Sequence, residues 1–312
     1  MRTESPQQAV EPQVARPLAT SAPRYIASRS ELLKSFLEGL ALRFSKKRLL
    51  IAGPYAGEFG HEIMDFQSYV RWLRPRYDQV HVITFAGREP LYRGCQVHAH
   101  GYDLRTAGYQ FGSISHQQIK QDALEFARRN GIEDCDFFST AHLATGYHRK
   151  LLFGQTHEVF GPPGPVVLNG KVLFHFRSIA KVGPDTTRNF LPELAEEVCR
   201  LCRSRGLELA CIGHPAYSLC PAGSEDWRTE DLEQTVARLA GCALVAGELS
   251  GPLHLAAYCA KPIVTWVPEK SRLTNAFRRN PFNVPVTVVR DDTTNPSPDE
   301  VVAKLQSAVS AS

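Results

Sequence analysis

Short apolar runs alternate with amphipathic helical patterns twice along the chain, and that alternation restricts the fold to a parallel-sheet α/β architecture. In the first stretch Leu49-Leu50-Ile51-Ala52 reads as a strand, followed by a glycine-bearing turn and a helix from about Glu62 to Leu73. After the Arg74-Pro75 break a second strand covers Val80 to Phe85. Strand, turn, helix and strand at this spacing form a βαβ unit with a right-handed crossover. A further helix spans His116 to Arg129, closed by Asn130-Gly131. The segment Phe160-Gly-Pro-Pro-Gly-Pro165 then interrupts the pattern as a linker. Beyond it the alternation restarts, with strands at Val172–Phe176, Leu207–Ile212, Ala243–Ala246 and Ile263–Val267. Helices lie between them at Leu191–Arg205, Thr229–Ala240 and Pro252–Cys259, and a last one covers Pro298–Val309. The expectation is two Rossmann-like parallel-sheet domains, residues 29–160 and 171–297, joined by a linker at 161–170 and followed by a C-terminal helix at 298–312. The carboxyl ends of the two sheets would face a cleft, which is where open α/β sheets bind ligands.

A chain of 312 residues has room for two such domains. Residues 1–28 are rich in Pro, Gln, Ala and Ser, bury too little to offset ordering entropy, and are expected to form a disordered tail. From Ser30 the pattern becomes helical, with Leu33, Phe36, Leu37, Leu40 and Phe44 recurring at three- and four-residue spacing before Arg43, Lys46, Lys47 and Arg48. Such a helix either docks on the domain that follows or rests on an anionic membrane face. Lys and Arg exceed Asp and Glu by only four, which argues against a nucleic-acid partner. No apolar run approaches the roughly 20 residues of a membrane span, and no secretory pattern opens the chain. A cytoplasmic location follows, with peripheral contact at the inner membrane face as its variant. Several of the eight cysteines sit in apolar segments, as reduced thiols do. Cys199, Cys202, Cys211 and His214 have a spacing that could be taken for zinc, but Cys202 continues the stripe Leu191, Leu194, Val198 and reads as core.

Three segments carry the candidate chemistry. In Gly247-Glu248-Leu249-Ser250-Gly251-Pro252-Leu253-His254 a buried strand ends, a Ser-Gly turn follows and Pro252 opens a helix. Free backbone N–H groups and the positive helix end there suit a diphosphate. Gly251 permits close approach, and Ser250 adds a hydroxyl donor. The second segment leaves the first strand of the second half: His175, Arg177, Lys181, Arg188 and Asn189 place cations where a leaving diphosphate would need them. Gly213 and His214, after another strand, are candidates for the nucleobase or ribose pocket. The third segment, Gly57-Glu58-Phe59-Gly60-His61-Glu62, follows the first strand of the first half. Its glycines allow tight approach, and Glu62 sits at a helix start.

The stretch Ser250-Gly-Pro-Leu-His-Leu-Ala-Ala257, followed by Lys261-Pro262-Ile-Val, resembles the signature of the bacterial lipopolysaccharide heptosyltransferase family. The lead-in from Asp231 to Gly247 is also similar, and the resemblance covers about residues 170–270. It implies a two-domain glycosyltransferase of the GT-B fold in which this turn holds the donor's nucleotide diphosphate. The family's acidic residue directly before Ser or Thr is Leu249 here, with Glu248 one place earlier. The opening His175-Phe-Arg177 with Lys181-Val-Gly is similar to the donor-binding strand of α1,6-fucosyltransferases, another GT-B group. In the heptosyltransferases a glycine-rich turn after the first strand carries the acid that deprotonates the acceptor. That implies Glu62 as general base, with Glu58 as its rival, and His61 beside them on the acceptor side.

The function expected is transfer of a sugar from a nucleoside diphosphate sugar to a hydroxyl of a glycan, lipid-linked or small acceptor, with no cofactor. Metal is not required in this reading, since cationic loops neutralise the diphosphate. Asp134 and Asp136 offer an Asp-x-Asp pair, but in a helix-to-strand connection they read as a solvated turn. Two rivals stay open: a nucleotide-sugar epimerase or pyruvyl-type transferase on the same fold, and a non-catalytic nucleotide-sugar-binding protein, which Leu249 motivates.

Overall fold

A computed structural model describes residues 29–102, 114–143, 152–179 and 188–310. The expected N-terminal tail and Lys181 lie outside the described residues.

The first half begins with helix α1 (Arg29–Phe44). Strand β1 (Leu49–Ala52) leads into helix α2, which runs as Phe59–His61, a π-helical turn Glu62–Phe66, and Gln67–Leu73. Strands β2 (Gln79–Thr84) and β3 (Gln96–Ala99), helix α3 (His116–Arg129) and strand β4 (Cys135–Phe138) follow. Ser115 caps α3 by accepting the Gln118 N–H. The sheet order is β3-β2-β1-β4, parallel throughout.

The second half contains strands β5 (Val172–Arg177), β6 (Leu209–Cys211), β7 (Ser218–Leu219), β8 (Glu225–Asp226), β9 (Leu244–Glu248), β10 (Ile263–Trp266) and β11 (Val286–Val288). Helices α4 (Pro192–Ser204), α5 (Leu232–Gly241), α6 (Gly251–Tyr258), α7 (Leu273–Arg278) and α8 (Pro298–Ser310) join them. The order β11-β10-β9-β5-β6-β8 is parallel, while β7 folds back antiparallel on the end of β5. Strands β5 and β9 are buried along their whole length, which is why they read as unbroken apolar runs rather than alternating ones. The short strands β3, β7 and β8 have too little apolar pattern to be seen in sequence.

One apolar core passes from Phe66, Phe138 and Tyr92 in the first half to Leu253 and Tyr258 in the second. A separate cluster packs α4 and α8 on the second sheet around Phe174, Phe176, Phe190 and Trp266. Cys199, Cys202 and Cys211 belong to that cluster, and among the described residues no three His, Cys, Asp or Glu side chains are grouped to hold a metal ion. No described helix is long and apolar enough to cross a membrane. Helix α1 docks by only one residue of the stripe its sequence presents: Phe36 packs on the core beside Gly39 and Leu42, which face Leu152 and Phe153, whereas Leu33, Leu37, Leu40 and Phe44 are exposed.

Candidate active site

The loops that leave β1 and β9 at their carboxyl ends meet. A β-carbon at Gly251 would lie 3.0 Å from the Phe59 ring, and one at Gly60 would lie 3.8 Å from the His254 ring. The acceptor-side and donor-side turns read from the sequence are therefore neighbours.

On the donor side the order of events in β9 explains the geometry. Gly247 lies against β5, where a β-carbon would come within 2.6 Å of the His175 carbonyl, so only glycine fits. Glu248 ends the strand almost fully buried, and its carboxylate takes two hydrogen bonds from Arg188, Nε and Nη2, each 2.8 Å. Arg188 Nη2 also donates to the Leu249 carbonyl at 2.6 Å. Burial raises the Glu248 pKa and the arginine opposes it. Glu248 and Arg188 thus serve each other and fix the turn. Leu249 is buried and joins the core.

Ser250 is the N-cap of α6, yet its side chain makes no cap bond. Its hydroxyl instead lies 2.9 Å from His175 Nδ1. Pro252 has no N–H to satisfy. The helix start is thereby left to backbone groups of the Ser250–Leu253 turn, the condition for receiving an anion. His175 is buried, and desolvation with the charges of Arg177 and Arg188 lowers its pKa to about 3, so the imidazole is neutral. Gly213, with φ +115°, passes close over that ring: a β-carbon there would sit 2.7 Å from it. Gly213 therefore shapes the His175 pocket.

Other expected donor contacts fall elsewhere. Asn189 Oδ1 accepts from the Ile179 N–H at 2.9 Å and Nδ2 donates to the Ile179 carbonyl at 2.8 Å, which ties Asn189 to the residue two places beyond β5. Arg177 is buried at the end of β5, contrary to the reading of a free cleft cation. His214 Nδ1 accepts the Ala216 N–H at 3.0 Å, which places the proton on Nε2, 3.1 Å from Glu230. Both ring nitrogens have protein partners, and the ring lies beside Tyr217.

On the acceptor side Glu62, expected as the general base, points into the core. Its side chain is fully buried, hydrogen-bonded by Thr84 Oγ1 and, at 2.9 Å, by the Tyr92 hydroxyl. Its other oxygen faces Arg88 Nε at 3.5 Å without a hydrogen bond. Desolvation raises its pKa, partly offset by Arg88 and the two hydroxyls. Glu62 continues the helical stripe Phe66, Val70 and Leu73, and that stripe faces the core. Arg88 also lies over the Phe59 ring, 4.0 Å from its centre, so Phe59 is held between Arg88 and Gly251. Gly57 is buried at the turn, while Glu58, adjacent to Phe59, is exposed.

Sequence reasoning missed a cluster that spans the two halves. Arg279, beyond α7, places Nη1 3.0 Å from Asp65 Oδ2 and 3.3 Å from His61 Nδ1. His254 is buried beside them, its pKa lowered to about 3 by desolvation first and then by Arg279, His61 and Arg188. Asp65 follows His61 by one helical turn, a spacing that was visible; the arginine, 214 positions after Asp65 in the chain, was not.

No protein-family model matches the sequence, and no curated protein sequence matches it either. Solved structures do. The fold is similar to ADP-heptose lipopolysaccharide heptosyltransferase II of Escherichia coli, with a TM-score of 0.53 at 14% identity over 85% of this chain and 99% of that one. A glycosyltransferase family 9 protein of Veillonella parvula gives 0.56 at 12% identity over 86% and 99%. An E. coli heptosyltransferase with ADP gives 0.51 at 12% identity over 84% and 99%. The likeness is one of fold: two Rossmann-like domains arranged as in GT-B glycosyltransferases, the architecture of the heptosyltransferases.

Proposed function

We propose that the protein is a glycosyltransferase that moves a sugar from a nucleoside diphosphate sugar to a hydroxyl acceptor. The observation that carries this reading is the uncapped start of α6 at the end of a buried strand, with Ser250 turned to a neutral His175. Backbone groups of the turn would hold the diphosphate, and the Arg188–Glu248 pair would keep the turn in place. The structural neighbour with ADP supports a nucleoside diphosphate as the group bound. On the acceptor side Glu58 is the exposed carboxylate of the Gly57–Gly60 turn, and it would take the proton as the glycosidic bond forms. The departing diphosphate would be stabilised by the helix end without a divalent ion.

A panel of nucleoside diphosphates tests binding: a ligand at 100 times its dissociation constant should stabilise the fold by about 2.7 kcal/mol. Sugar transfer in the presence of EDTA then tests the chemistry. No stabilisation by any nucleoside diphosphate overturns the site, activity that depends on an added metal overturns the metal-free mechanism, and an epimeric nucleotide sugar as product overturns the reaction class.

A further inference from the structure

Helix α1 has two faces with different fates. One side packs on the domain through Phe36, Gly39 and Leu42. The other leaves Leu33, Leu37, Leu40 and Phe44 exposed by 58, 54, 37 and 73%. Their spacing of four, three and four residues puts them in one stripe along the helix.

Charge around the stripe is one-sided. Between Leu33 and Arg48 the chain carries Lys34, Arg43, Lys46, Lys47 and Arg48 against a single acid, Glu38. Glu38 lies on the packed side, where it pairs with Lys120 of α3 at 2.6 Å. One and two turns beyond Lys120, Leu124 is 54% exposed and Arg128 is exposed, so α3 adds an apolar and a cationic group on the same side. Two of these cations, Arg48 and Lys47, are paired with Asp78 and Asp134, so the cationic excess beside the stripe rests on Lys34, Arg43 and Lys46.

We propose that this face is a docking surface for an anionic lipid bilayer. The stripe would enter the headgroup boundary and the cations would meet lipid phosphates. Charge decides among occupants: a second copy docked face to face would bring two cationic rims together, and residues 1–28 hold three Arg against two Glu, so they offer no complement either. The inference does not depend on which sugar or acceptor the cleft takes.

The test is flotation of the full-length chain with vesicles of phosphatidylglycerol and phosphatidylcholine, and with phosphatidylcholine alone. The chain should float with the anionic vesicles only, less so as salt rises. Leu37→Glu with Phe44→Glu should lower the bound fraction about tenfold or more while circular dichroism and melting stay unchanged, since both side chains are exposed. Lys34→Gln with Lys46→Gln should weaken binding and reduce its salt dependence. Failure to float with anionic vesicles, or equal flotation of the Leu37/Phe44 variant, overturns the proposal. A dimer seen by sedimentation velocity and abolished by the Leu37/Phe44 substitutions overturns it in favour of self-association.

Discussion

Two glycine-bearing turns follow the central strands of the two sheets, and they differ in what holds them. The turn after β9 is organised by backbone: Gly247 for the approach of β5, Ser250 turned away from the cap, Pro252 at the helix start. The turn after β1 is organised by side chains from distant segments, with Thr84, Arg88 and Tyr92 drawing Glu62 inward and Arg88 pressing Phe59 toward the opposite half. A backbone device is specified by the residues that form it. A side-chain device depends on partners that only the folded chain brings together.

The sharpest way to break this comparison is at the carboxylates. Glu58→Gln should lower turnover about 10²- to 10⁴-fold with nucleotide affinity unchanged, whereas Glu62→Gln should stay within a few-fold of the parent in single-turnover transfer. The opposite ranking would mean that the buried carboxylate reaches the acceptor after all.

A smaller effect is expected on the backbone-organised side. Gly251→Val should weaken nucleoside diphosphate binding by about 100-fold, or roughly 2.7 kcal/mol, in isothermal titration. The added methyls meet both the Phe59 ring and the ligand, so Phe59→Ala combined with Gly251→Val should relieve the first contact and leave affinity low. Recovery of affinity in the double variant would place the ligand away from this turn. Ser250→Ala should cost less, about tenfold in affinity, the order of one hydrogen bond to a charged group. An unchanged affinity would confine Ser250 to holding His175.

An effect of a different kind concerns pH. His254 has its pKa depressed to about 3 against an ordinary 6.5, through burial, Arg279, His61 and Arg188, with Asp65 opposing. The unfolded chain therefore takes a proton that the fold refuses as pH drops below about 6.5, and stability falls by about 1.4 kcal/mol per pH unit until the folded pKa is reached. The stability margin of the parent over His254→Leu should narrow at that rate between pH 6 and pH 4 in urea titrations. A margin independent of pH would show that the imidazole is solvated and that the two turns do not close over it.

What was legible in the sequence follows the same division. The helices from Pro192 and Pro298 and the strands at Val172 and Ile263 were placed within a residue or two, because apolar periodicity and proline at the first turn record local geometry. The Ser250–Pro252 turn was legible for the same reason. Glu62 was read for its place at a helix start, although its spacing of four and eight residues from Phe66 and Val70 also put it on an apolar stripe. Asn189 and Arg188 read as ligand groups because residue type records hydrogen-bonding capacity but not which partner takes it, here Ile179 and Glu248. Arg279 gave no signal, since its role comes from a fold that returns it to Asp65.

Tyr258, the last residue of α6, is pinned to the other half of the molecule. Its carbonyl accepts the Phe160 N–H at 2.7 Å, its ring stacks on Phe160 at 5.4 Å, and its hydroxyl donates to the Met64 carbonyl at 3.3 Å. The opposite end of the same helix is the turn proposed to hold the diphosphate. A helix of eight residues is about 12 Å long, so α6 would act as a short lever with its fulcrum in the linker region and its tip at the proposed site. Tilting it by about 10° would carry the tip about 2 Å, and a misplacement of about 1 Å is enough to cost about two orders of magnitude in rate. Substitutions at Phe160 or Tyr258, remote from any ligand, would thus register as errors of aim.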